Sequence, residues 1–78
     1  MLYVYNKIME SKNEKFKRLA NKRVPAALEK LKLIENLSNT TNYDYSKPEA
    51  DKIVKALTQS VGEIKKSFDE KTKPKFKI

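Results

Sequence analysis

Two stretches of the chain share one design, and that design constrains the fold more than any other feature. Each opens on Ser-x-x-Glu and continues with apolar residues three and four positions apart. The first starts at Ser11-Lys12-Asn13-Glu14 and continues through Phe16, Leu19, Ala20, Val24, Ala27, Leu28, Leu31, Ile34 and Leu37. The second starts at Ser46-Lys47-Pro48-Glu49 and continues through Ala50, Ile53, Val54, Leu57, Val61, Ile64 and Phe68. Ser-x-x-Glu is a capping box, in which the serine hydroxyl and the glutamate carboxylate satisfy backbone N–H groups that the first helical turn leaves unpaired. The spacing behind each box places the apolar residues on one side of a helix. The sequence therefore predicts helices over about 11–38 and 47–70.

Each helix carries one residue that weakens it. Pro25 lies inside the first, where it removes the N–H that would bond the Asn21 carbonyl. It falls opposite the apolar stripe, which keeps its phase across it, so the expectation is a kink near Pro25; the alternative is a break, with Pro25 opening a new helix. Pro48 stands in the first turn of the second helix, where a missing N–H costs nothing. Gly62 lowers that helix's propensity by about 1 kcal/mol and would suit the close approach of another helix.

Ser38-Asn39-Thr40-Thr41-Asn42 between the stretches is a turn cluster. A connection this short lays two helices antiparallel. The expected fold class is all-α, an antiparallel two-helix hairpin over residues 11–70. An ambiguous segment, 1–10, precedes it, and a basic tail at 71–78, stopped by Pro74 and expected to be flexible, follows. Two cylinders cannot cover both stripes, and a 78-residue chain rarely draws more than about 3–5 kcal/mol from a single core. A homodimer forming a four-helix bundle is the expected remedy, and a monomer closed by the N-terminal segment is the alternative.

Composition excludes several chemistries. There is no Cys and no His, so disulfides, thiolate chemistry and catalytic triads that use those residues are absent. Zinc, which favours those ligands, is not expected, and no metal or cofactor is assigned. A single Gly leaves no glycine-rich phosphate loop. No run of apolar residues is long enough to span a membrane, and Met1–Met9 lacks the basic start and cleavage site of a signal peptide. The expected location is cytoplasmic, without membrane attachment. Met9, just ahead of the first capping box, would also serve as an internal start.

The 18 Lys and Arg against 10 Asp and Glu leave a formal charge of +8. The second helix is neutral, so the excess falls on the first helix and on Lys71, Lys73, Lys75 and Lys77. Lys15, Arg18 and Lys22 share one flank of the first helix, and Lys30 stands further toward the stripe. A basic flank and a lysine tail are a footprint for phosphates, or else a solvated face. Sixteen of the 18 cations are lysine, which favours backbone contact over base readout. Arg23 lies within the stripe; it is expected to pair with a carboxylate of the second helix or a second subunit, or to contact an anionic partner. Asn39, Asn42, Tyr43 and Tyr45 in the loop could anchor a partner. Architecture is the competing role. Tyr45 precedes the Ser46 cap as the first residue of a hydrophobic staple, Tyr43 plugs the bundle end, and Asn and Ser side chains satisfy the first helix's last carbonyls.

The run Arg18-Leu19-Ala20, Arg23-Val24, Ala27-Leu28, Leu31, Leu33-Ile34, Asn36-Leu37-Ser38-Asn39, Asn42-Tyr43 and Tyr45 resembles a family of small bacterial and phage proteins of unassigned function. The resemblance covers about residues 14–70 and is most specific in the loop. It implies a helical hairpin in a bacterial or mobile-element setting and transfers no catalytic residues. Pro25 departs from the pattern.

The function expected from these features is non-catalytic: a small binding protein docking on nucleic acid or a nucleoprotein through the basic first helix and tail. The alternative is a protein-binding inhibitor or accessory factor of the phage anti-defence kind, similar to anti-CRISPR proteins. Catalysis by Arg and Lys alone would need several cations converging on the bundle interior, and only Arg23 lies on the stripe.

Overall fold

A computed structural model describes residues 9–72. Two helices are present among them and no strand: α1, Lys12–Asn36, and α2, Lys47–Thr72. The chain divides into two units, one carrying α1 and the turn behind it up to Tyr43, the other starting at Asp44 and carrying α2. The segment before Met9, and residues 73–78 of the proposed tail with Lys73, Lys75 and Lys77, lie outside the described residues.

Both helices start where the capping boxes place them. In α1 the Ser11 hydroxyl accepts from the Glu14 N–H at 3.0 Å, and the Glu14 carboxylate accepts from the Ser11 N–H at 2.9 Å. In α2 the Glu49 N–H donates to the Ser46 hydroxyl at 3.2 Å, and the Ser46 N–H donates to Glu49 Oε1 at 2.8 Å. The serine carbonyls accept the first helical bonds, from Lys15 and Ala50. Each box leaves a carboxylate in the first turn, where the helix dipole favours negative charge.

α1 continues through Pro25 without a break, so Pro25 does not open a separate helix. The N–H it lacks is missing from one bond in a helix of 25 residues, and the turns on either side hold the conformation. α1 ends at Asn36 rather than near 38. Past it the chain tightens: the N–H groups of Leu37, Ser38 and Asn39 donate to the carbonyls of Ile34, Glu35 and Asn36, a three-residue spacing that uses up the last carbonyls. Backbone N–H groups thus take up carbonyls at the end of α1. α2 runs on to Thr72, two residues past its expected end. Lys71 therefore belongs to the last helical turn and not to the tail, and its charge suits the negative end of the helix dipole.

No described residue is buried. Leu19, Ala20, Ile34, Ala50 and Leu57 are half-buried, and the other stripe residues are exposed.

Candidate binding surface on the first helix

At about 100° per residue, the side chains of α1 sort into bands. Phe16, Ala20, Val24, Ala27, Leu31 and Ile34 form the centre of the apolar stripe. Pro25 points away from it. Lys15 and Lys22 stand on one flank, with Arg23 and Lys30 between that flank and the stripe. All four are exposed, and among the described residues none makes an ion pair.

Arg18 differs from the other four. Its Nε donates to Glu10 Oε2 at 2.8 Å and its Nη2 to Glu10 Oε1 at 3.1 Å, a two-pronged grip. The Glu10 side chain keeps only 19% of its exposure. Arg18 therefore ties the residue ahead of the Ser11 cap onto the second turn of the helix. It sits with the basic flank in sequence, but Glu10 neutralises it. The signal was present in the sequence as an acidic residue eight positions upstream, a spacing that becomes short only once the capping box turns the chain.

The turn behind α1 is built by its own polar groups. Asn39 Oδ1 accepts from the Thr41 N–H at 2.9 Å, the geometry of an Asx turn. The Asn39 carbonyl accepts from the N–H groups of Asn42 and Tyr43, at 3.2 and 2.9 Å. Glu35, Asn36, Ser38, Asn39, Asn42 and Tyr43 line a shallow polar depression there. Tyr43 is 47% exposed. Tyr45 and Ala50 occupy the two positions of a hydrophobic staple around the Ser46 cap, which favours an architectural part for Tyr45.

The lysines of α2 are arranged differently. Lys47 pairs with Asp51 at 3.1 Å and Lys65 with Asp69 at 2.5 Å, each one turn along the helix. Glu49 is held below its ordinary pKa by the backbone N–H of Ser46 first and the Ser46 hydroxyl second. Among the described residues there is no group of three or more His, Cys, Asp and Glu side chains placed to hold a metal, and no helix is long and apolar enough to cross a membrane.

These features define a chain whose described residues form two helices, one of them with a basic surface. No protein-family model, curated protein or solved structure matches the chain.

Proposed function

We propose that this chain is a non-catalytic binding protein that docks on an anionic partner through the basic flank of α1. The observation that carries the reading is the set Lys15, Lys22, Arg23 and Lys30, exposed along one helix and without a carboxylate among the described residues. Nucleic acid or a nucleoprotein meets that description, and the tail lysines Lys73, Lys75 and Lys77 would extend the contact. Arg18 is left out of the contact set, because Glu10 already holds it.

A second reading is a protein-binding inhibitor or accessory factor of the phage type. It is favoured by apolar side chains on the same flank as the cations, which phosphates cannot use.

Under both readings α1 and α2 fold back antiparallel in the cytosol. The apolar positions support this, because they mirror one another about Asn42. Phe16 and Phe68, Ala20 and Ile64, Val24 and Val61, Ala27 and Leu57, Leu31 and Ile53, and Ile34 and Ala50 each lie at matching separations from it, to within about one residue. A second copy then completes a four-helix bundle, through flanks such as that of Leu28, which is 59% exposed.

The test is the mass in solution, with and without a short DNA duplex, at several salt concentrations. The expected result is about twice the 9.1 kDa chain mass without DNA, and a complex whose log K falls linearly with log salt. Binding unchanged between low and high salt would remove the phosphate reading. A monomer mass would remove the four-helix bundle.

A further inference from the structure

α1 carries more apolar surface than one partner stripe can cover. Beside its central stripe runs a second row: Leu19, Arg23, Ala26, Lys30, Leu33 and Leu37. These positions alternate four and three apart and fall within an arc of about 80°. That is the spacing of a seam read by another helix. Leu33 is 59% exposed and Leu37 43% exposed, while Leu19 is half-buried. α2 has no equivalent, since outside its single stripe only Pro48 and Ala56 are apolar, with Gly62 one turn from Thr58, Gln59, Lys65 and Lys66.

The charges facing this row narrow the choice of occupant. Lys12, Lys15 and Lys22 join Arg23 and Lys30 in or beside it, and Glu29 is the one carboxylate on its border. None of these five cations is in an ion pair among the described residues. A second copy docked here, in either orientation, would bring the Arg23 and Lys30 of both chains into one seam with only Glu29 to offset them. That is a repulsive arrangement. A phosphate backbone would satisfy the cations but leave Leu19, Leu33 and Leu37 in water. A helix carrying acidic residues beside an apolar stripe satisfies both. Its leucine-type side chains pack on Leu19, Ala26 and Leu33, and its carboxylates meet Arg23, Lys30 and Lys22.

We propose that the Leu19–Leu37 row of α1 is the docking face for an acidic amphipathic helix of a protein partner. The proposal rests on the reading of α1 as a surface for anions and names the partner's chemistry.

Leu33→Lys separates the candidates, because it acts with opposite sign on them. Lysine is as good a helix former as leucine at an exposed position, so circular dichroism should be unchanged. The probes are a three-heptad peptide with leucine at the seam and glutamate beside it, the same peptide with lysine for glutamate, and a short DNA duplex. Each is titrated against the full chain by fluorescence anisotropy.

The expected result is that the glutamate peptide binds and the lysine peptide does not. Leu33→Lys should weaken the glutamate peptide by about tenfold or more. The double variant Arg23→Glu, Lys30→Glu should lose the glutamate peptide and gain the lysine peptide.

Three outcomes overturn the proposal. DNA binding that strengthens in Leu33→Lys, with the glutamate peptide unaffected, keeps the anionic reading and assigns the face to phosphates. Loss of a dimeric mass in Leu33→Lys assigns the face to a second copy. No binding by either the glutamate peptide or DNA removes the anionic reading together with the proposal.

Discussion

α1 and α2 are near equal in length and start with the same capping box, yet they handle charge and apolar surface in opposite ways. α2 has one stripe and nearly balanced charge, six lysines against five carboxylates, with Lys47 tied to Asp51 and Lys65 to Asp69. α1 has a broad apolar band, and only Arg18 of its cations is in an ion pair among the described residues. A helix with nearly balanced charge and one stripe has a single surface to cover. A helix with two rows and a large excess of cations has something left over after its first contact. Under the proposed function, the contrast gives α2 an architectural part and α1 both an architectural part and the docking surface.

The strongest way to break this comparison is to remove a stripe residue from each helix. Leu57 is half-buried already within the single chain. In a folded bundle Leu57→Ala should cost about 2–5 kcal/mol, as much as a domain of this size has in total, and the chain should lose its cooperative urea transition. Leu33→Ala, on the second row of α1, should leave that transition within about 1 kcal/mol of its original position. Equal losses at the two sites would mean that the second row is core.

Pro25 gives the next largest effect, with the reverse sign. It lies on the side of α1 away from both rows, so Pro25→Ala restores a backbone bond without touching either surface. The expected gain approaches about 3 kcal/mol, read as a higher urea midpoint, with anion binding unchanged. A change in binding would show that the proline shapes the recognition face.

Both helices, their starts and the two boxes were legible in the sequence, because capping and periodicity are local. Ser11 and Glu14, or Ser46 and Glu49, are three residues apart and meet whatever the rest of the chain does. The ends were less legible. Nothing in Asn36-Leu37-Ser38 marks where α-helical bonding gives way to a tighter turn. At the other end Lys71 and Thr72 read as tail because of the lysines that follow. The candidate surface was legible in part. Its lysines follow from helix geometry alone, whereas the engagement of Arg18 by Glu10 depends on how the chain enters the helix. The second row is less legible for another reason: Ala26 and Leu33 stand outside the main stripe, on the flank that carries Lys15 and Lys22, and the lysines there mark the flank as polar.

Gly62 gives a smaller test of α2. A Cβ built there meets nothing within 4 Å. Gly62→Ala should therefore stabilise the helix by about 0.5–1 kcal/mol, seen as a rise in helical signal and urea midpoint. Destabilisation would mean that another helix approaches α2 at Gly62 in the assembled protein, so that α2 also has two contact faces.

The smallest effect is in the caps, and it depends on pH. Glu49 has a folded-state pKa below its ordinary value, because its ionised carboxylate accepts the Ser46 N–H and hydroxyl. A depressed carboxylate pKa stabilises the folded form above the unfolded-state value, about 4.3 for glutamate. That contribution is fully present at neutral pH and is lost as pH falls through the depressed folded value. Acid should accordingly fray the start of α2, followed by the Ala50 amide resonance as pH is lowered from about 6 to about 2. Glu49→Gln keeps an acceptor for the Ser46 N–H but cannot ionise, so its Ala50 resonance should be flat across the same range. A wild-type titration that matched the Gln variant would mean that the cap of α2 does not depend on the carboxylate charge.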